Sequence, residues 1–326
     1  MSIRSVALSR TNFHLCGPLW GDRCTYSPEE FRTLITSAAR LLEQRRALGA
    51  LVFEGGTPRA FGLSTFAAEP FMDGFLTDPH PQIGRRLLQD GAPTATSNVL
   101  DLSDIARGNC ERGLELVVLN TAYDPGSGDP GAVVGELMAA FQRVHRGYRI
   151  ARITNEVFGD AAINIVTSSA SYQVRRIFDI RHPKGHLRSA LATLTRSQAA
   201  QWNTPLLSMF VYNPPSIVFT PAQRDLLQTA LGGLTDNDLA DQLGLRLTTI
   251  KATWTRIYQR AFQRAPHLFA TVRTRDSGSA RGVQVRHLLL QHVRNHPEEL
   301  TPYELLDQRI ALPDRAYRRE GPTDDR

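Results

Sequence analysis

Residues 219–261 carry helix caps, glycine stops and apolar spacing that together leave few folds open. Thr220-Pro221-Ala222-Gln223 reads as a capping box with proline at the first helical position. Leu226, Leu227, Ala230 and Leu231 then share one face, and Gly232-Gly233 ends the helix. Thr235 caps a second helix, with Asp236 and Asp238 where the helix dipole favours anions. Its buried face is Leu239, Ala240 and Leu243, and Gly244 supplies a sharp turn. A third helix is expected from about Leu247 to Phe262.

At about 100° per residue, Ile250, Trp254, Ile257 and Ala261 of that third helix fall in one narrow stripe. Thr248, Ala252, Thr255 and Gln259 lie opposite, with Lys251 on one shoulder and Thr249, Arg256 and Arg260 on the other. From Thr248 to Arg264 there are four basic residues and no acid. Small polar side chains can meet base edges while flanking cations neutralise phosphates, so these eight residues are the expected DNA contacts.

With those residues in place, 219–261 resembles the LuxR-type (GerE-like) helix-turn-helix of transcription regulators. The likeness lies in Thr220, Pro221, Arg224, Asp225 and Leu226, in Gly233, Leu234, Thr235, Leu239, Ala240 and Leu243, and in Thr249, Ile250, Lys251 and Ile257. It departs at Arg246, Thr253 and Trp254. The resemblance implies a sequence-specific DNA-binding regulator acting on double-stranded DNA as a homodimer. RNA polymerase and an unidentified small-molecule effector are candidate partners. The alternatives are an adaptor whose helices never read DNA, and an enzyme fused to a regulator.

Upstream, Ser27-Pro28-Glu29-Glu30 opens a helix expected to run to Leu48 and stop at Gly49. Ala50–Glu54 and Arg59–Ala67 read as a hairpin, Leu114–Thr121 as a strand, Asp124–Gly131 as a Gly/Pro-rich loop and Ala132–His145 as an amphipathic helix. Asn164–Thr167 and Tyr172–Phe178 read as a last strand pair, and Ser189–Trp202 as a helix. The expected architecture is an α+β sensory or dimerisation domain of GAF- or PAS-like layout over 1–180, then a connector over 181–215. The all-α helix-turn-helix domain follows over 216–265, and a linker, amphipathic helix and charged tail over 266–326. The basic helix Arg281–His296 is expected to pair two protomers, and residues 313–326 to be disordered.

Composition narrows the function further. The three cysteines, Cys16, Cys24 and Cys110, are too few and odd in number for a disulfide framework, and no C-x-x-C pair offers a zinc site. His182 and His186 have ligand-like spacing, but Pro183 and Gly185 argue for a solvated loop. No Ser/His/Asp set or carboxylate pair is recognisable, so no catalytic residue, metal or cofactor is expected, and no enzyme activity. Trp20, Phe53, Phe61, Phe66 and Phe71 read as core. Val117–Pro125 resembles a receiver domain's phosphorylation strand only superficially, since Asn120 stands at the acceptor position. With no apolar run near the ~20 residues of a bilayer span, a cytoplasmic location without membrane contact is expected.

Overall fold

The computed structural model describes residues 2–89, 98–168, 172–270 and 278–304, without the side chains of 278–283. Seven strands form one sheet: β1 (Ile3–Ala7), β2 (Ala47–Glu54), β3 (Thr57–Ala67), β4 (Leu114–Tyr123), β5 (Ile150–Phe158), β6 (Gln173–His182) and β7 (Gly185–Thr195). Their order is β1-β2-β3-β4-β5-β7-β6. Neighbours are antiparallel except β4 and β5, which are parallel. Parallel neighbours need a crossover of a dozen or more residues. Here a glycine-rich loop and a helix supply it.

The helices are α1 (Pro28–Glu43), α2 (Glu69–Thr77), α3 (Ile83–Gln89), α4 (Leu102–Cys110), α5 (Pro130–Val144), α6 (Asp160–Ser168), α7 (Arg196–Gln201), α8 (Pro221–Ala230), α9 (Asp236–Leu243), α10 (Leu247–Arg264) and α11 (Gly278–Asn295). Leu34 and Leu41 of α1 and Leu87 of α3 pack on one sheet face, against Leu51, Leu63, Val117 and Leu119. On the other face α5, the crossover helix, sets Val133, Leu137 and Ala140 against Ala50, Val52 and Ala60. Met209 and Phe210, in the 205–210 segment, extend that layer beside Leu116 and Ile153. Alternate strand residues thus feed opposite cores, as the two-residue period requires.

The sheet replaces the GAF- or PAS-like layout expected for 1–180. Ile150–Phe158, not expected as a strand, is β5. Asn164–Thr167 lies inside α6, and of Ser189–Trp202, expected as one helix, the part to Thr195 belongs to β7 and only Arg196–Gln201 is helical. The sheet therefore takes in part of the stretch read as connector. The capping box at Ser27 forms as expected, but α1 ends at Glu43, where Arg45 takes a left-handed φ of 56°. Gly49 lies within β2, where a Cβ would overlap the Gly62 carbonyl of β3. It permits close strand approach and does not stop a helix.

In the C-terminal region α8 begins with the capping box read at Thr220, Thr235 caps α9 as expected with Asp238 closing a reciprocal box, and Gly244 ends α9 at a φ of 63°. Ile250, Trp254, Ile257 and Ala261 are the buried face of α10. The helix α11 does not present a free apolar face for a second protomer. Val285, Leu289, Leu290 and Val293 are buried with Trp254, Ile257 and Phe269 in one core. Arg286 fixes this placement: its guanidinium lies 4.4 Å from the Trp254 ring centroid and pairs with Asp236 at 2.7 Å. The charged tail 313–326 lies outside the described residues.

Helix α3 sits so tightly on the sheet that a Cβ at Gly84 would overlap the Leu119 carbonyl of β4. Gly84→Ala is expected to cost about 1–3 kcal/mol by forcing the helix off the strand, measured as a lower urea midpoint with an unchanged slope.

Candidate active site

The parallel pair does not stay together. Register pairs run from Leu114 with Ile150 to Val118 with Asn155. Beyond them β4 continues to Tyr123 and β5 to Phe158 without pairing to each other. On its other edge β4 carries a bulge: Ser64 pairs with Val118 and Leu63 with Asn120, so Leu119 has no partner in β3. Bulges bend a strand and re-aim its side chains. Together the bulge and the lost pairing open a cleft at the carboxyl ends of two parallel strands, where α/β sheets commonly bind ligands.

The two faces of this cleft differ. On the α5 face, Val118, Thr121, Ile153, Asn155, Phe141 and Met209 line a slot of about 70 Å³. The slot is mainly apolar, and the Asn155 Oδ1 on its wall is buried with no hydrogen-bond partner. Such a group is costly unless something donates to it.

On the α3 face lie two buried carboxyls, Asp22 and Glu156, each 2% exposed. Glu156 accepts from the backbone N–H of Gln82 (2.9 Å) and Ile83 (2.8 Å) and from Ser189 Oγ (2.6 Å). It thereby serves the amino end of α3, where a negative charge is favoured. Gln82 is held at a φ of 63°, and its Nε2 donates to Thr25 Oγ1 at 2.6 Å. Asp22 accepts from the Tyr26 hydroxyl and from Asn120 Nδ2 (3.2 Å), while Asn120 Oδ1 accepts from Gly21 N (3.3 Å). Burial pushes Asp22 up to about 6, with the Glu156 charge adding to the rise and the Tyr26 hydrogen bond opposing it. Burial raises Glu156 as well, against its three donors.

His145 is a poor rival as a base. Its Nδ1 faces the Phe141 carbonyl at 2.7 Å and its Nε2 faces Ser64 Oγ at 2.6 Å, and burial lowers it to about 4. Nε2 ties the end of α5 to β3, while Nδ1 closes on the helix's own Phe141 carbonyl. His182 and His186 do not lie in a loop; they sit on β6 and β7 beside the hairpin turn. Among the described residues no group of three or more His, Cys, Asp or Glu could hold a metal.

The loop from β4 to α5, Asp124–Asp129, could in principle cradle an anion at a helix amino end. Here the chain's own carboxylates occupy it. Gly126 N donates to Asp124 (2.9 Å), Gly128 N to Glu54 (3.1 Å) and Ala132 N to Asp129 (2.9 Å). Arg59 pairs with both Asp124 and Glu54.

Of the expected DNA contacts, Thr248, Thr249, Lys251, Ala252, Thr255, Arg256 and Gln259 are exposed on α10, while Arg260 turns inward to donate to the Val218 carbonyl. None of them lines the β4–β5 cleft. The cleft residues were missed because β5 was: Thr154, Asn155 and Glu156 put polar residues where alternation calls for apolar ones. Asn120, read only as a failed phosphoacceptor, is one of Asp22's donors.

No protein-family model matches the chain, and no curated protein does. Solved structures do overlap it. The ribosomal-protein-S18-alanine N-acetyltransferase from Escherichia coli is 14% identical over 60% of this chain and 94% of its own, with a TM-score of 0.34. The polyamine N-acetyltransferase of Drosophila melanogaster is 12% identical over 60% and 100%, at 0.37. An N-acetyltransferase from Staphylococcus aureus Mu50 is 10% identical over 60% and 98%, at 0.34. The chain's own strand order, with its one parallel pair, defines a seven-stranded mixed sheet with flanking helices.

This corrects the earlier reading. The LuxR-type likeness is not matched by any family model. The expectations of a DNA-binding regulator or adaptor, of double-stranded DNA, RNA polymerase and a homodimer as partners, and of no enzyme activity are withdrawn: no family model supports them, and the solved structures named above are N-acetyltransferases. The physical reason is that a short three-helix pattern says nothing about the larger sheet before it, whose crossover leaves no local signature. Among the described residues no helix is long and apolar enough to cross a membrane.

Asp22 makes stability depend on pH. Its carboxyl binds a proton more tightly folded than unfolded, so stability falls as pH rises from about 4 to about 6, by about 3 kcal/mol in all. Glu156 moves in the same direction. Urea unfolding across that range is expected to show a shallower fall in Asp22→Asn than in the wild type. Parallel curves would remove Asp22 as the cause.

Proposed function

We propose that the β4–β5 cleft transfers an acyl group from a thioester to an amine, with Asp22 as the base. The observation that carries this reading is the opening of the strands between an apolar slot with an orphaned acceptor and a pair of buried carboxyls.

The residues fit one part of a coenzyme A thioester and not another. The slot suits a narrow arm bearing amide N–H groups, because Asn155 Oδ1 lacks a donor. The loop at Asp124–Asp129 does not suit a diphosphate, since carboxylates hold its amides and would repel the added charge. The buried Ser127 Oγ, which has no partner, does not replace them.

A thioester, when bound, supplies an acyl carbon open to attack by a neutral amine. Asp22, ionised above about pH 6, takes the ammonium proton that would block that attack. Tyr26 and Asn120 hold its two oxygens in place. Glu156 is a positioning residue, fixing the amino end of α3 against β5. Two nearby carboxyls also favour a cationic acceptor over an alcohol. The free cysteines Cys16, Cys24 and Cys110 suit a reducing compartment, so the cytoplasm is part of this proposal.

Thiol release from acetyl-pantetheine or acetyl-coenzyme A, measured over a panel of primary amines, tests it. Asp22→Asn is expected to slow turnover by about 10²–10⁴-fold. The wild-type rate should rise with pH through about 6. Amine-independent release alone, or an Asp22→Asn variant as fast as the wild type, would sink the proposal.

A further inference from the structure

A second cavity, of about 280 Å³, lies where the sheet meets the C-terminal helices. Its walls come from β2, the end of α5, the start of α8 and residues 297–302. Arginines dominate its polar lining: Arg45, Arg143, Arg146 and Arg224, against Asp225. Three of them have carboxylate partners. Arg45 pairs with Asp225 at 2.5 Å, Arg143 with Glu136 at 2.7 Å and Arg146 with Glu298 at 3.0 Å.

Arg224 has no salt-bridge partner among the described residues. It is 8% exposed, and one guanidinium nitrogen donates to the Phe219 carbonyl at 3.2 Å. A guanidinium has five N–H donors. Burying a cation that has no salt-bridge partner is unfavourable, and burial pulls Arg224 down from its ordinary value, with the Asp225 charge opposing it. The rest of the wall is apolar where it matters, with Leu42, Leu48 and Leu300. The Tyr148 ring closes one side, 4.9 Å from Phe66.

We infer that this cavity binds a small monoanion with a short apolar body, a monocarboxylate, whose charge meets Arg224. Among the described residues the four arginines share three carboxylate partners, Asp225, Glu136 and Glu298, and this excess of one positive charge sets the ligand charge at minus one. Its volume lies just below the ~300–1,000 Å³ range of pockets for drug-sized ligands, which sets a small size. Because the walls come from both the sheet and the helices, the ligand is held by both regions at once. This inference does not depend on acyl transfer in the β4–β5 cleft.

Isothermal titration of the full chain with hexanoate, beside hexanol as the uncharged body, tests it at neutral pH. Hexanoate is expected to saturate one site and to bind at least about tenfold more tightly than hexanol. Arg224→Met should weaken hexanoate by about ten- to a hundredfold. Arg45→Gln, on a side chain 36% exposed, releases Asp225 beside the site and should weaken it severalfold. This second variant keeps the test decisive if Arg224→Met fails to fold. Hexanoate that does not bind, binds no better than hexanol, or binds both folded variants as it binds the wild type would overturn the inference.

Discussion

Glu156 ties together the elements that the cleft depends on. Its carboxylate takes two backbone donors from the start of α3 and a hydroxyl from β7, while its own backbone belongs to β5. That anchor holds the amino end of α3 against β5 at the place where β4 and β5 part. The same helix is pressed onto Leu119, the unpaired residue of the β4 bulge, through the absent side chain of Gly84. The cleft is thus kept open by a hydrogen-bonded charge on one strand and a close approach on the other. Both need burial, and burial is also what perturbs the carboxyls.

The C-terminal helices follow a different logic. Their ends are set locally by threonine caps and glycine, as the sequence implies. Their arrangement is set by apolar burial with α11, locked by Arg286 between the Trp254 face and Asp236. Trp254 also donates its Nε1–H to Asp236 at 3.2 Å, so one carboxylate serves two helices. The apolar stripe that looked available for a second protomer is used inside the chain.

What could be read from the sequence was local. Ser27 and Glu30, Thr220 and Gln223, and Thr235 and Asp238 lie three residues apart, and each pair forms its reciprocal cap. The Gly55-Gly56 turn and the apolar run at Leu114 likewise sit where expected. The failures cluster at the candidate site. Strand β5 hid behind Thr154, Asn155 and Glu156, consecutive polar residues that break the apolar alternation of a buried strand. Gly49 looked like a helix stop because its strand partner Leu63 lies fourteen residues away.

The sequence by itself determined helix starts, the glycine-marked ends of α8 and α9 and which faces of those helices are apolar, because these depend on residues within one or two turns of each other. Only the tertiary structure decided that β4 and β5 run parallel and then part. It alone brought Asp22, Asn120 and Glu156 together from well-separated segments, and left Arg224 buried without a salt-bridge partner among the described residues. Pairing between distant strands and the desolvation of charges are properties of the assembled core, where burial fixes the electrostatic character of each group.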